Sequence, residues 1–379
     1  MTVEPTVPPA RSASRTSRLV LGLLSGFAIS VATAIILEGG ASLVLFGADY
    51  AATNAAPQVV RAHTTTDTLL GWVNRPNFTS PGEFGPGIGL TTTPDGFRTT
   101  AAPVAGTGVD PRRLVCSGDS FTMGYGVADE KSWCSLLGGR FRGLATANMG
   151  QGAYGLDQAY LWYQREGARL THQIQILAIT GVMLERSVTG TYMGRFKPVF
   201  ELENGRLVLR NVPVPEQTQA ALHRAYSVRL LEDLRLLQVI RKVFNVDGTR
   251  GTSRRVDDQW ALFEKILEQL AAYHQARNSQ LLLVYLPTKR DLHSGPHDAR
   301  RQRLADFAER HGVAMLDLTP PLRSLRADSV DLAFITRIEP GAAPGIPGHY
   351  SNLGNVWAAD LIARKLARMP ILAGRAIIR

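Results

Sequence analysis

The run Val115-Cys116-Ser117-Gly118-Asp119-Ser120-Phe121-Thr122-Met123-Gly124-Tyr125-Gly126 decides the fold of this chain. Leu114, Val115 and Cys116 spell a buried strand. The strand breaks into Gly-Asp-Ser and crosses a glycine-rich turn, and a helix is expected from about Glu130. A serine on the turn that leaves a parallel strand presents its hydroxyl at the carboxyl edge of the sheet, where open α/β folds place their sites. Gly118, Gly124 and Gly126 let the backbone bend there and approach a ligand closely.

Beyond this stretch, strand-like and helix-like segments alternate. Strands are expected at 113–117, 145–148, 174–180, 280–285 and 313–317, and helices at 130–142, 154–168, 257–277, 297–311 and 352–368. Such alternation gives a parallel sheet covered on both faces, a three-layer, flavodoxin-like α/β arrangement over 113–379. An insertion at 186–256 interrupts it. Within it, Phe200 to Leu209 reads as a hairpin around Asn204-Gly205, ended by Pro213 and Pro215. A helix is expected from Gln217 to Val243, then a polar stretch from Gly248 to Arg255. The insertion leaves the third strand on the serine's edge, as a lid or as a docking surface.

On the amino side, 1–18 is a Pro-, Ser-, Thr- and Arg-rich tail read as disordered. Leu19 to Leu37 carries no charge and the apolar character continues to Phe46, long enough for a transmembrane helix over 19–46. Ala32-Thr33-Ala34 and Gly40 keep a cleaved signal as the alternative. Arg11, Arg15 and Arg18 flank the amino end and the next basic residue is Arg61. That asymmetry puts the tail in the cytoplasm and the main domain in the periplasm or otherwise outside. Gly22, Gly26, Ser30 and Ala34 recur every four residues, a stripe suited to a partner membrane helix. Residues 47–112 are Pro-, Gly- and Thr-rich, yet Leu69, Leu70, Trp72, Phe78 and Phe84 need burial. An irregular, partly β cover over the main domain is expected.

The chain of 379 residues holds 42 Lys+Arg against 32 Asp+Glu, a net charge of +10. This suits a membrane surface or an anionic glycan. No basic run with interleaved aromatics is present, which argues against nucleic acid. Two cysteines, Cys116 and Cys134, exclude a disulfide framework and a four-cysteine zinc site. Sequence leaves open whether they bridge.

The pattern Gly118-Asp119-Ser120-x-x-x-Gly124-x-Gly126, set between strand and helix, resembles the first block of the SGNH (GDSL-type) hydrolase superfamily. The resemblance spans roughly 110–370. It implies that Ser120 is the nucleophile and that His349, in Gly348-His349-Tyr350 before the last helix, is its base. It further implies an oxyanion hole from the Ser120 N–H and a glycine N–H in Asn148-Met149-Gly150-Gln151-Gly152. Gly152 fits that role best by its offset and Gly150 next best. No metal or organic cofactor is implied.

The chain departs from the family pattern twice. The third block normally brings an asparagine side chain, and Thr180-Gly181-Val182-Met183 has none; losing one oxyanion donor costs ~10²–10³ in turnover. The last block normally carries an acid three residues before the histidine, where this chain has Ile346; changing a triad acid costs up to ~10⁴. Asp331, Glu339 or a backbone carbonyl could serve instead. Two readings follow. One is an anchored serine esterase or O-acyltransferase resembling those that act on envelope polysaccharides. The other is a catalytically degenerate accessory subunit, docked by its helix in a larger membrane complex.

Overall fold

The computed structural model describes residues 15–55, 62–103, 112–215, 249–337 and 346–377. The chain divides into two compact units, 1–57 with 219–252 and 58–218 with 253–379. In the first, helix α1 (Arg15–Ala55) carries an apolar span, Arg18–Val44, long enough to cross a membrane; a leader sequence passes the same test. The hydroxyls of Ser30 and Thr33 donate to the carbonyls of Gly26 (2.9 Å) and Ile29 (2.8 Å). This satisfies two polar groups without a partner from outside the helix. The helix continues past Phe46 to Ala55. The expected helix from Gln217 to Val243 lies outside the described residues.

The second unit is built on a five-stranded parallel sheet. After the short cover hairpin β1 (Thr64–Asp67) and β2 (Gly71–Asn74) come β3 (Arg112–Gly118), β4 (Leu144–Gly150) and β5 (Ile174–Ile179). The insertion supplies the antiparallel hairpin β6 (Val199–Glu203) and β7 (Arg206–Arg210), and the sheet ends with β8 (Gln280–Tyr285) and β9 (Ala314–Asp317). The sheet order is β9-β8-β5-β3-β4. Alternate residues feed two cores, one on each face. Leu114, Cys116, Ile174, Ile176, Leu282 and Val284 fill one; Val115, Leu177, Ile179, Leu281 and Leu283 fill the other. Burial on both faces explains why the strand cores, such as Leu114–Cys116 and Leu281–Tyr285, read as apolar runs. Strand order reverses between β3 and β5, so the crevice at that switch point is where this topology places a site. Ser120 stands there.

The helices include α2 (Ser120–Met123), α3 (Trp133–Gly138), α4 (Leu156–Arg165), α5 (Gly181–Arg186), α6 (Thr249–Ala276), α7 (Pro296–Arg310) and α8 (Asn352–Leu366). Two differ from expectation. The helix expected over 130–142 is a 3₁₀ turn at Asp129–Lys131 followed by short α3, because Ser132 caps a new start, its Oγ accepting from the Ser135 N–H. Helix α6 begins at Thr249, not near 257; once the amphipathic part has nucleated, each further polar residue adds at little cost. Cys116 on β3 and Cys134 on α3 form a disulfide, Cα–Cα 6.2 Å.

The cover grips the loops that carry the site. Trp72 Nε1–H donates to the Gly152 carbonyl (3.0 Å), and Tyr154 Oη–H donates to the Trp72 carbonyl (2.6 Å). Arg98 is buried at 1% exposure. Its guanidinium donates to the carbonyls of Met123, Gly124 and Val127 and pairs with Asp129 at 2.8 Å. The turn 123–127 is thereby held by a cation buried beneath it. In the insertion, Asn204 (φ 51°) and Gly205 (φ 73°) make the two-residue turn of β6–β7.

Candidate active site

The site is assembled where β3 runs into α2. Asp119 caps α2, its Oδ1 accepting from the Phe121 N–H at 3.0 Å, which sets Ser120 as the first helical residue. Gly118, at φ +158°, has no room for a side chain: a Cβ would sit 2.2 Å from Thr122 Oγ1 and 2.7 Å from the Ala178 carbonyl.

His349 arrives from the loop before α8. Ile335 ties down the turn, its N–H donating to the His349 carbonyl and its carbonyl accepting from the Gly348 N–H, both 2.8 Å. Phe121 (ring centroids 4.8 Å) and Tyr125 (5.2 Å) pack against the imidazole. Next to it, Tyr350 Oη–H donates to the Pro287 carbonyl at 2.7 Å, and burial holds that phenol's pKa well above its ordinary value.

His349 Nε2 lies 2.8 Å from Ser120 Oγ, and Nδ1 lies 3.1 Å from the Ile346 carbonyl. A carbonyl oxygen only accepts, so Nδ1 carries the proton and Nε2 is left to accept from the serine hydroxyl. That is the tautomer a general base needs. The contact comes from the position where the family pattern has its acid. Ile346 contributes a backbone oxygen there, and its side chain is buried with Phe84, Leu90, Met123 and Tyr125. The exposed carboxylate of Asp331 pairs with Lys289 at 3.0 Å. Glu339 lies outside the described residues.

The two glycines of the second block are separated by their surroundings. Gly150 N–H donates to Asn148 Oδ1 (2.9 Å), and a Cβ there would meet Met123 N at 2.0 Å. Gly150 is thus a packing glycine under α2 whose donor is spent. Gly152 has open space where a Cβ would go, and no hydrogen bond from its N–H is found among the described residues. Of the two second-block glycines, Gly152 is thus the one whose N–H is not used within the described residues.

The third block offers no amide. Met183 is fully buried in the core, with its N–H on Thr180 Oγ1 (3.2 Å), and Val182 is half-buried. Thr180 Oγ1–H donates to Asp119 Oδ2 at 2.9 Å. Sequence reasoning missed Arg186, whose Nη1 reaches the same Asp119 oxygen at 3.2 Å. It also missed His297. The imidazole lies so close to Gly181 that a Cβ would be 2.4 Å from Nδ1. Hydrogen bonding to Asp291 (2.9 Å), against the opposing effect of burial, raises its pKa, and Glu185 at 3.3 Å adds to this. The third-block glycine makes room for that ring.

No family model and no curated protein matches the chain. Among solved structures it is similar to a protein of the G-D-S-L lipolytic family from Desulfitobacterium hafniense, at 13% identity, TM-score 0.36, over 67% of this chain and 98% of that one. A G-D-S-L lipolytic family member from Veillonella parvula matches at 12% and 0.36, over 68% and 100%. A lipase/acylhydrolase from Enterococcus faecalis matches at 12% and 0.34, over 67% and 95%. At that distance the likeness decides nothing about chemistry, and the case for chemistry rests on the dyad.

Proposed function

We propose that this protein is a membrane-anchored, extracytoplasmic serine ester hydrolase or O-acyltransferase of the SGNH type, acting on an envelope glycan. The observation that carries the reading is the 2.8 Å contact between His349 Nε2 and Ser120 Oγ. His349 takes the serine proton as Oγ attacks an ester carbonyl. The tetrahedral oxyanion falls to the N–H groups of Ser120 and Gly152. Collapse expels the alcohol, which takes the proton from His349, and leaves an acyl-serine. Water or a sugar hydroxyl then attacks with His349 again as base, releasing the acid or the new ester.

The cellular setting is supported by three features. An apolar span follows Arg11, Arg15 and Arg18. The Cys116–Cys134 disulfide suits an oxidising compartment. The net charge of +10 suits an anionic glycan. The Gly22, Gly26, Ser30 and Ala34 face would take a partner membrane helix. The test uses the full chain in detergent micelles with para-nitrophenyl acetate and an O-acetylated acidic polysaccharide. Turnover of both, lost in Ser120→Ala, is expected. No turnover of either, with the wild-type chain recovered in a stable membrane complex, would replace this reading with that of an inactive scaffold.

A further inference from the structure

With Met183 buried and Val182 aliphatic, the third block gives the oxyanion nothing, yet a charged donor stands nearby. Arg186 closes α5. Its Nη1 donates to Asp119 Oδ2 at 3.2 Å and to the Tyr154 carbonyl at 3.3 Å. Those partners belong to the two segments that carry the backbone donors: Asp119 immediately precedes Ser120, and Tyr154 lies two residues past Gly152. The guanidinium therefore sits at the seam between the two halves of the oxyanion site.

Its remaining donors are unspent. A guanidinium has five N–H groups, and both contacts fall on Nη1. Nε is buried with no hydrogen-bond partner, and no bond from Nη2 is found among the described residues. The side chain keeps 12% exposure. Tyr192, from the insertion, lies over it at 4.9 Å and fixes the plane of the fork. Asp119 does not depend on Arg186 for hydrogen bonds, since Phe121 N–H (3.0 Å) and Thr180 Oγ1 (2.9 Å) already serve its two oxygens.

We propose that Arg186 is the third donor of the oxyanion site, replacing with a guanidinium N–H the side-chain amide that the third block lacks. This rests on the serine-esterase reading above. As charge moves from Ser120 Oγ to the former carbonyl oxygen, a guanidinium N–H not used by Asp119 or Tyr154 donates to it. The insertion then has a defined part, holding Arg186 over the seam through Tyr192.

The experiment compares wild type, Arg186→Gln, Arg186→Lys and Arg186→Ala, as full chains in detergent, by turnover of para-nitrophenyl acetate and inhibition by phenylboronic acid, which forms a tetrahedral adduct on serine. Arg186→Gln should lose ~10²-fold or more in kcat with KM nearly unchanged, and phenylboronic acid should weaken by a similar factor. Arg186→Lys should fall between, and guanidinium ion should restore part of the turnover of Arg186→Ala. The inference is overturned if kcat of Arg186→Gln stays within threefold of wild type. It is also overturned if kcat falls while boronate affinity holds and guanidinium rescues nothing, since that marks a purely structural role. Wild type that neither turns over ester nor binds the boronate overturns the esterase reading and this inference with it.

Discussion

Replacing Lys197 by methionine probes how the insertion is fixed to the sheet-bearing unit. Lys197 and Asp157 form an ion pair with both side chains at 0% exposure. The ammonium also donates to the carbonyls of Thr189 (2.9 Å) and Pro198 (2.8 Å), so all three of its protons are used. Burial raises the Asp157 pKa, and Lys197 opposes that rise. Without the lysine, Asp157 must stay buried as an unpaired anion or take up a proton. Protonation at pH 7 of a carboxyl whose unfolded pKa is about 3.9 costs about 4 kcal/mol, at 1.36 kcal/mol per unit. This agrees with the ~3–5 kcal/mol seen when one partner of a buried pair is removed.

The sign follows from proton binding. The folded variant holds a proton that the unfolded chain has lost, so its deficit is largest at neutral pH and shrinks as pH falls toward about 4. At pH 5 about 1.5 kcal/mol remains of the protonation cost. At about 2–4 °C per kcal/mol for a unit of this size, Tm should fall by about 8–16 °C at pH 7 and by less than half that at pH 5. The assay is thermal unfolding of the full chain in detergent, followed by near-UV circular dichroism. The double variant Asp157→Leu/Lys197→Met should recover most of the loss. A drop under about 3 °C at pH 7, or an equal drop at both pH values, would refute the reasoning.

Two further outcomes are expected. Gly150→Ala should cost about 3 kcal/mol or more and abolish ester turnover, because its methyl meets Met123 N at 2.0 Å and displaces the helix that begins with Ser120; Gly152→Ala, with open space there, should leave the melting temperature nearly unchanged in the same thermal scan. His274 is buried between Gln175 and Ser279, and burial lowers its pKa to about 3. The unfolded chain binds that proton first, so stability should be complete above about pH 6.5 and fall by about 1.4 kcal/mol per unit below it, about 2 kcal/mol at pH 5. His274→Asn should flatten that dependence.

Much of the fold is legible in the sequence because its central strands are buried on both faces. Ile174 to Ile179 is buried at every position, and Gln175 is the one polar residue in the run. The Gly118-Asp119-Ser120 turn and the Gly348-His349 loop are legible because chemistry restricts residue type there. What escaped has a physical reason in each case. Arg186, Lys197 and Arg98 act on partners 67, 40 and 25–31 residues away, and a charge in a string does not name its partner. The contact that the described residues make to His349 Nδ1 is a main-chain oxygen, which every residue has, so nothing in the Ile346 side chain announces it. The choice between Gly150 and Gly152 turns on which N–H is already spent, and only packing against Met123 and Asn148 decides that.

The central claim is that Ser120 is a nucleophile activated by His349. Its most direct test is the rate at which a fluorophosphonate labels the full-length protein, with the modified residue located by peptide mass spectrometry. A single adduct on Ser120, absent from Ser120→Ala and formed far more slowly in His349→Ala, is the predicted result. An unmodified Ser120, or labelling of His349→Ala as fast as wild type, would contradict the account.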